Sequence, residues 1–337
     1  MADYFRPLVQ IDPARPEGAM SLAGGWGWFS HVEVLSRARA AKVISAADLP
    51  KSALDALTTT RAPIAGLALD RPRVMGILNA TPDSFSDGGR HADPQVAVEA
   101  GMAMRAAGVD MLDVGGESTR PGADTVPEGE EIDRIVPVIA GLRAAGTGAI
   151  SIDTRKAAVA EAAVGAGANL VNDVAALTFD PALAPFCAAR ELPVCVMHAQ
   201  GDPATMQRDP RYDDVVLDVY DYLADRIAAL EAQGIARHNI IADPGIGFGK
   251  TLEHNLALLA RLSLFHSLGV PILLGASRKR FIGTIGGGEA GADRAPGSIA
   301  VALAALSHGI QFLRVHDVAQ TIQAIALYRA AMAGKQI

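Results

Sequence analysis

Residues 73–89 read Arg73-Val-Met-Gly-Ile-Leu-Asn79-Ala-Thr-Pro-Asp-Ser-Phe-Ser-Asp-Gly-Gly89. The apolar run at 74–78 has the length of a fully buried strand. The chain then changes to polar residues and turn formers, which end a strand and disfavour a helix. Since α/β proteins place their chemistry in loops that follow buried strands, this junction predicts a site with Asn79 at its edge. A plain surface turn is the alternative interpretation.

Junctions of this kind recur along the rest of the chain. The apolar strand candidates are residues 74–78, 111–114, 148–152, 169–171, 193–197, 239–242, 271–274 and 311–315. Ala-rich segments with helical spacing lie between them, for example residues 95–107, 157–166, 212–233, 255–268 and 297–308, and Gly108, Gly167, Gly234 and Gly309 follow four of these segments. Alternating strands and helices imply a parallel sheet with right-handed crossovers. Eight units in about 265 residues match a closed (β/α)8 TIM barrel.

Each strand candidate ends in polar or ionisable residues. In order these are Asn79, Asp113, Asp153, Asn172 with Asp173, His198, Asp243, Ser277 with Arg278 and Lys279, and Arg314 with His316. In a closed barrel all eight carboxyl ends face one rim, where the active sites of this architecture lie. The pattern therefore predicts one lined pocket, although a structural salt bridge is an equally good interpretation of any single Asp or Arg among these residues.

The residue types at the rim indicate what this pocket could bind. Two acids, Asp153 and Asp243, with Asn172 and Lys279 suit a flat heterocycle that presents adjacent N–H groups. The remaining cationic or donor groups, Arg120, Arg314 and His316, suit phosphate, and an arginine also stacks on aromatic rings. Asn79 and Asp113 offer oxygen atoms suited to one or two contacts with Mg²⁺ when a diphosphate supplies the rest.

Composition excludes several classes of protein. The chain has 337 residues, half of them apolar, and a formal charge of -7 without a basic block, which argues against nucleic acid as the main partner. It contains no run of about 18 apolar residues, and its first residues do not resemble a secretory signal. Its two cysteines, Cys187 and Cys195, cannot form a disulfide framework. We expect a soluble cytoplasmic protein without a membrane partner.

Residues 1–70 differ from the regular pattern that follows. Pro-rich and Gly-rich pieces alternate there with short strand candidates, and both tryptophans, Trp26 and Trp28, lie in this part. The tryptophans could bind a ring, but a Trp beside Gly is more often a packing anchor. We predict an N-terminal extension of unknown role, residues 1–70, docked on a barrel of residues 71–337.

The spacing of residues argues against three common types of functional site. A P-loop needs Gly five positions before Gly249, and Pro244 stands there. Cys195 and His198 are an odd number of positions apart on one strand, so their side chains should point to opposite faces and cannot form a nucleophile pair. No two histidines have the His-x-x-x-His spacing of a zinc site.

The motifs at the strand ends resemble those of the dihydropteroate synthase family, the folate-pathway enzymes that sulfonamides target. The similar pieces begin with residues 75–89 and Asp113-Val-Gly-Gly-Glu-Ser-Thr-Arg-Pro-Gly. They continue in family order through Ser151-Ile-Asp-Thr, Asn172-Asp-Val, Met197-His, Asp243-Pro-Gly-Ile-Gly-Phe-Gly-Lys, Gly275-Ala-Ser-Arg-Lys and Arg314-Val-His-Asp. The resemblance covers roughly residues 73–330.

This resemblance implies a transferase that joins 6-hydroxymethyl-7,8-dihydropterin diphosphate to 4-aminobenzoate, releasing diphosphate and 7,8-dihydropteroate. By the matching motifs, Asp153, Asn172, Asp243, Lys279 and Arg314 would hold the pterin, and Asn79, Arg120, Arg314 and His316 the diphosphate. Asn79 would also contact Mg²⁺. Phe85, Thr119, Pro121 and Arg280 would border the aminobenzoate. Arg280 stands where other members have Ser, which leaves open whether its side chain or the helix N-terminus meets the aminobenzoate carboxylate.

The family also implies a homodimer and assigns catalysis to Asp153, Lys279, Arg314 and His316. Two alternatives remain at this point. A pterin-dependent methyltransferase would share the acids and the amide but would not use a diphosphate site. A non-catalytic pterin-binding barrel would have no reason to keep polar residues at every strand end.

Overall fold

The computed structural model describes residues 3–81, 93–118, 125–201, 206 and 209–335. Eight strands form its centre: β6 (Arg73–Asn79), β7 (Met111–Gly115), β8 (Ala149–Asp153), β9 (Leu170–Asp173), β10 (Val194–Met197), β11 (Ile240–Asp243), β12 (Leu273–Leu274) and β13 (Phe312–Val315). They pair in parallel in the order β11-β10-β9-β8-β7-β6-β13-β12. An isolated parallel bridge between Ala242 and Ile272 joins the two edges. The predicted barrel is confirmed.

Helices lie between the strands and pack on the outer face of the sheet. They are α2 (Pro94–Ala106), α3 (Glu128–Ala144), α4 (Ala157–Ala166), α5 (Leu183–Ala189), α6 (Val215–Ala232), α7 (Leu252–Ala260), α8 (Arg280–Gly286), α9 (Ala295–Ser307) and α10 (Val318–Ala333). The four glycines that follow helical segments, Gly108, Gly167, Gly234 and Gly309, all have positive φ, a conformation common where helices end. No helix in the described ranges is long and apolar enough to cross a membrane.

One helix prediction needs correction. Residues 255–268 were predicted as a single helix, but α7 ends at Ala260 and a 3₁₀ segment, Leu262–Leu268, follows. The chain leaves helical geometry at Arg261, which has φ -125° and ψ 24°. The apolar spacing alone could not show this break, because the 3₁₀ segment is itself buried.

The barrel interior is built in layers of contrasting polarity. Its base is a buried apolar cluster with one residue from each strand: Met75, Met111, Ala149, Leu170, Cys195, Ile241, Leu273 and Phe312. Because side chains in a strand alternate between faces, the positions two residues further on form the next interior layer. That layer contains Ile77, Asp113, Ser151, Asn172, Met197, Asp243, Gly275 and Arg314. A packed apolar floor therefore supports a mostly polar layer.

Residues before β6 form a small β-rich unit with its own core. It contains β1 (Tyr4–Pro7), β2 (Met20–Ser21), β3 (Trp28–Phe29), β4 (His31–Leu35) and β5 (Lys42–Ser45), followed by α1 (Lys51–Thr58). Trp26 donates from Nε1 to the Leu306 carbonyl of the barrel at 3.1 Å, and Trp28 donates to the Asp12 carbonyl at 2.7 Å. Both tryptophans thus act as packing and anchoring residues.

Two side chains from this part of the chain close the barrel base. Ile64 and Leu69 are buried in the apolar cluster formed by the first interior layer. Nearby, the buried Arg61 donates to the carbonyls of Ala56 and His266, at 2.6 Å and 3.0 Å. The stretch before residue 70 therefore contributes to the barrel floor, and the division of the chain at residue 70 stays a prediction.

Candidate active site

Arg314 is held between two carboxylates at the mouth of the barrel. Its Nε donates to Asp113 Oδ2 at 2.6 Å, and its Nη2 donates to Asp153 Oδ2 at 2.7 Å. The three residues come from β13, β7 and β8, so the contacts cross the barrel interior. Two charge-assisted hydrogen bonds fix the plane of the guanidinium.

Asn172 is linked to this group through Asp113. Its Nδ2 donates to Asp113 Oδ2 at 3.1 Å, so a single carboxylate oxygen accepts from both Asn172 and Arg314. Asp113 was considered as a Mg²⁺ contact on sequence grounds. The structure instead engages its Oδ2 with these two side chains.

Asp153 keeps one carboxylate oxygen available. Its Oδ1 is buried and finds no hydrogen-bond partner among the described residues. An unpaired acceptor in a buried position is costly, unless a ligand donates to it. Because it lies at the barrel mouth beside Arg314, this oxygen is a candidate acceptor for a donor group of a bound molecule.

Asp243 and Lys279 lie on the opposite side of the barrel mouth. Asp243 Oδ1 accepts from the Gly245 amide at 2.7 Å, which fixes one oxygen of the carboxylate. Lys279 donates to the Ile246 carbonyl, and its ammonium lies 4.2 Å from the centre of the Phe248 ring. Gly275, which directly follows β12, lies between Asp243 and Arg314, since a Cβ there would lie 3.5 Å from Asp243 Oδ2 and 4.0 Å from Arg314 Cβ. The small residue keeps this part of the pocket open.

Gly247 is required where Lys279 crosses the loop after β11. Its φ is +82°, a conformation that favours glycine, and a Cβ would meet Lys279 Cδ at 2.9 Å. Sequence reasoning did not single out Phe248, although an aromatic residue in a Gly-rich loop directly after a strand was the available signal.

His316 is oriented by Ser277. Ser277 Oγ lies 3.1 Å from His316 Nδ1, and it accepts from the His316 backbone amide at 3.2 Å. The following residue, Asp317, holds the neighbouring Arg278, whose Nε donates to it at 3.0 Å. The ends of β12 and β13 are thereby joined at the rim.

Burial changes the proton affinity of several of these groups. It raises the pKa of Asp153 to about 7, with Arg314 opposing the rise and Asp113 adding to it. Burial also raises the pKa of Asp243, opposed by Lys279 and the Gly245 amide. It lowers the pKa of Lys279 to about 7, and the Asp243 carboxylate opposes this. Burial alone would lower the pKa of Arg314, but Asp113 and Asp153 more than offset it and raise this pKa.

Asn79 lies beside Asp153 at the end of β6. A Cβ on Gly115 would lie 3.8 Å from Asn79 Oδ1 and 3.9 Å from Asp153 Oδ2, so both oxygens flank this glycine. Within the described ranges, no group of three or more His, Cys, Asp or Glu could hold a metal ion. One amide oxygen fits Mg²⁺ only if other ligands, such as diphosphate oxygens and water, complete the coordination.

Two polar strand-end residues do not line the pocket. His198 packs against Tyr222 of α6, with ring centres 4.9 Å apart, and its Nδ1 lies 2.9 Å from Lys250 Nζ. Asp173 accepts from the amides of Ala175 and Leu177, both at 2.7 Å, and so stabilises a turn. The prediction that every polar strand end faces the rim is wrong for these two, because each immediately follows an inward-facing residue.

The residues predicted to border the aminobenzoate, and Arg120 of the diphosphate set, are only partly covered by the described residues. Phe85, Thr119, Arg120 and Pro121 lie outside the described residues. Arg280 is exposed at the first position of α8, next to Lys279. The assignment of these residues to aminobenzoate and diphosphate stays a prediction.

Comparison with known proteins adds to this geometry. Residues 75–316 match the family model described as pterin binding enzyme. Dihydropteroate synthase of Escherichia coli K12 is 45% identical over 273 residues, which cover 80% of this chain and 95% of that protein. The chain belongs to the dihydropteroate synthase family of pterin-binding enzymes.

Solved structures of dihydropteroate synthases share the fold. That of Xanthomonas albilineans, determined with 4-aminobenzoic acid, has a TM-score of 0.76 and 48% identity, covering 81% of this chain and 98% of its own. The structure from Yersinia pestis, a sulfonamide drug complex, has a TM-score of 0.76 and 44% identity. The match covers 81% of this chain and 99% of that chain. The family match begins at residue 75, so the N-terminal β-rich unit lies outside it.

Proposed function

We infer that this chain is a transferase of folate biosynthesis. It condenses 6-hydroxymethyl-7,8-dihydropterin diphosphate with 4-aminobenzoate, giving 7,8-dihydropteroate and diphosphate. The observation that carries this inference is the polar layer at the barrel mouth, where Asp153 keeps a buried acceptor free beside the clamped Arg314.

The pterin is assigned to Asp153, Asn172, Asp243, Lys279 and Arg314. Carboxylates on opposite sides of the pocket suit the N–H groups on the edge of a pterin ring, and buried acceptors of this kind reject isosteres that lack those groups. Support comes from the free Oδ1 of Asp153 and from the orientation of Asp243 by the Gly245 amide. Because Asp113 and Asp153 fix the plane of the Arg314 guanidinium, this group suits stacking on the pterin ring.

The diphosphate is assigned to Asn79, Arg120, Arg314 and His316. In support, Asn79 lies close to Asp153, and Ser277 orients the His316 ring. Mg²⁺ bound at Asn79 would neutralise part of the diphosphate charge. The oxygen chemistry of Asn79 and the lack of a protein-made cluster among the described residues fit a metal that is held mainly by the substrate.

In the reaction, the bond between the pterin methylene carbon and the diphosphate oxygen breaks, and a bond from that carbon to the aminobenzoate nitrogen forms. Departure of diphosphate leaves positive charge on the electron-rich dihydropterin, which Asp153 and Asp243 stabilise electrostatically. Arg314 and His316 offset the charge that develops on the leaving group. The arylamine is neutral near pH 7 and loses a proton as it bonds, so it requires orientation and exclusion of water more than a strong base.

The aminobenzoate is assigned to Phe85, Thr119, Pro121 and Arg280. Arg280 offers an exposed cation beside Lys279, which suits the carboxylate of this substrate. We expect a sulfonamide to compete for the same place; the Yersinia pestis synthase was solved as a sulfonamide drug complex.

We also propose a cytoplasmic homodimer. Both cysteines are buried and free, which fits a reducing compartment. On α10, Leu327 is 67% exposed and Met332 43%, which makes this helix a candidate interface. Light scattering on the purified chain tests the dimer, and a monomer at micromolar concentration would contradict it.

A continuous assay of diphosphate release tests the proposed reaction and both alternatives. Release that requires 4-aminobenzoate supports the synthase. A pterin-dependent methyltransferase or a non-catalytic barrel would bind pterin without releasing diphosphate in the presence of aminobenzoate. Substitution of Asp153 by Asn should abolish most of the signal, whereas the exposed Leu256→Ala should not.

A further inference from the structure

Asp113 is fully buried and contacts two residues assigned to the pterin site. It lies on β7, whereas Asn172 is on β9 and Arg314 is on β13. In the sheet order, Asp113 reaches across β8 in one direction and across β6 in the other. One oxygen, Oδ2, accepts both hydrogen bonds.

This contact determines which end of the Asn172 amide meets a ligand. With Nδ2 donating to Asp113, the carbonyl oxygen Oδ1 is the end left to accept hydrogen bonds from a bound molecule. A flipped amide would place its oxygen about 3 Å from a carboxylate oxygen, an acceptor facing an acceptor, and would lose the bond. Asp113 thus excludes the flipped orientation.

The same oxygen holds Arg314 at its Nε. Together with the Asp153 contact at Nη2, it fixes the guanidinium at two points. Without Asp113, rotation of Arg314 about its contact with Asp153 would be less restricted. The alignment of Arg314 and the polarity of Asn172 therefore depend on a single buried atom.

Packing alone gives no reason for an acid at this position. The register partner of Asp113 on β6 is Ile77, an apolar residue in the same interior layer. Burying a carboxylate is costly, and Asp113 Oδ1 finds no partner within the described part of the chain. An acid kept here despite this cost is explained by what its Oδ2 orients.

We propose that Asp113 is a positioning residue that sets the amide orientation of Asn172 and the alignment of Arg314, so that the barrel mouth presents an acceptor and an aligned guanidinium to the pterin. The proposal rests on the proposed function for the identity of the ligand. It assigns no contact between Asp113 and the substrate.

Two substitutions at this position test the proposal in the full-length protein. Asp113→Ala removes the acceptor, and we expect the Kd for unsubstituted pterin and the KM for the pterin diphosphate to rise at least tenfold. Asp113→Asn removes the charge, but its amide oxygen can take the place of Oδ2. We therefore expect it to recover most of the affinity. Leu256→Ala, at an exposed position outside the barrel interior, is the control and should leave the Kd within twofold.

The outcomes separate positioning from other roles. Wild-type affinity in Asp113→Ala would overturn the proposal, and so would Asp113→Asn binding as weakly as Asp113→Ala, since charge and not orientation would then matter. If Asp113→Ala does not fold, the side-chain amide of Asn172 can be followed by NMR in the wild-type protein. We expect its protons to be protected from exchange, and rapid exchange would overturn the proposal. If the wild-type protein binds pterin but forms no dihydropteroate, the proposed reaction fails while this test remains valid.

Discussion

Arg314 and Asp153 are joined by a hydrogen bond of 2.7 Å although their strands are separated by two others in the barrel. Because Arg314 also bonds Asp113, Arg314→Lys replaces a two-point contact by a single ammonium. We expect Arg314→Lys to lose about 1–3 kcal/mol of unfolding free energy, the usual range for hydrogen bonds to charged groups. Arg314→Met leaves two buried carboxylates without a cation and should lose more, about 3–5 kcal/mol. Urea unfolding of both variants measures this order, and equal losses would show that the fork geometry is unimportant.

The pH dependence of pterin binding should report on Asp153. Its pKa is raised to about 7 by burial, so the carboxylate is largely protonated below pH 7 and ionised above it. A ligand that donates to the ionised form should therefore bind more tightly as pH rises from 6 to 8, and binding at pH 6 should release up to about one proton. Calorimetry at pH 6 in buffers of different ionisation enthalpy measures that release. Asp153→Asn should abolish it, and an unchanged release in this variant would assign the proton to another group.

Asp243→Asn should weaken pterin binding much more than aminobenzoate binding. Asp243 Oδ1 accepts from the Gly245 amide, so an asparagine that keeps this bond must turn its NH₂ towards the ligand. A donor would then face the donors of the pterin edge, and a loss of about 2–4 kcal/mol is expected. Calorimetry should show a Kd raised roughly 30- to 1000-fold. An unchanged Kd would remove Asp243 from the pterin pocket.

The N-terminal part of the chain should divide into a dispensable and a required piece. None of the site residues lies before residue 70, but Leu69 is buried in the barrel floor. Leu69→Ala should therefore cost about 2–5 kcal/mol of stability, whereas Leu256→Ala, at a position 42% exposed, should cost far less. A chain starting at residue 60 should stay active if it folds. A folded but inactive protein of this kind would show that the extension takes part in the chemistry.

Burial of His266 should make the free energy of unfolding decrease as the pH falls. Burial lowers its pKa to about 3, against 6.5 in the unfolded chain, with a hydrogen bond to the His308 carbonyl opposing the shift. A lowered histidine pKa means that its stabilising contribution is complete above pH 6.5 and declines as pH falls towards 3. From pH 6.5 to 5 the loss should be about 2 kcal/mol. His266→Gln should reduce this slope by about one proton, and exposed His31→Gln should not. An unchanged slope in His266→Gln would contradict the assignment.

Much of this architecture follows from the sequence because the barrel is regular. The eight apolar runs predicted the parallel barrel, and the four glycines noted after helical segments do follow helix ends. The odd spacing of Cys195 and His198 correctly placed them on different faces. Side chains along a strand alternate between its two faces, and this rule was enough to exclude His198 and Asp173 from the pocket. Each follows an inward-facing residue, Met197 or Asn172.

Other features depend on contacts that no local pattern contains. Asp113 Oδ2 accepts from Asn172 and from Arg314, which lie 59 and 201 positions further along the chain. Phe248 beneath Lys279 and the closure of the barrel floor by Leu69 are equally non-local. A motif shows which residue types are present, but donor and acceptor orientation appear only when the strands are brought together.

Product analysis by liquid chromatography and mass spectrometry tests the proposed reaction most directly. The purified full-length chain is incubated with 6-hydroxymethyl-7,8-dihydropterin diphosphate, 4-aminobenzoate and Mg²⁺. We expect 7,8-dihydropteroate and diphosphate in equal amounts, with neither formed when aminobenzoate is omitted. Intact substrates after prolonged incubation, or diphosphate formed without consumption of aminobenzoate, would contradict it.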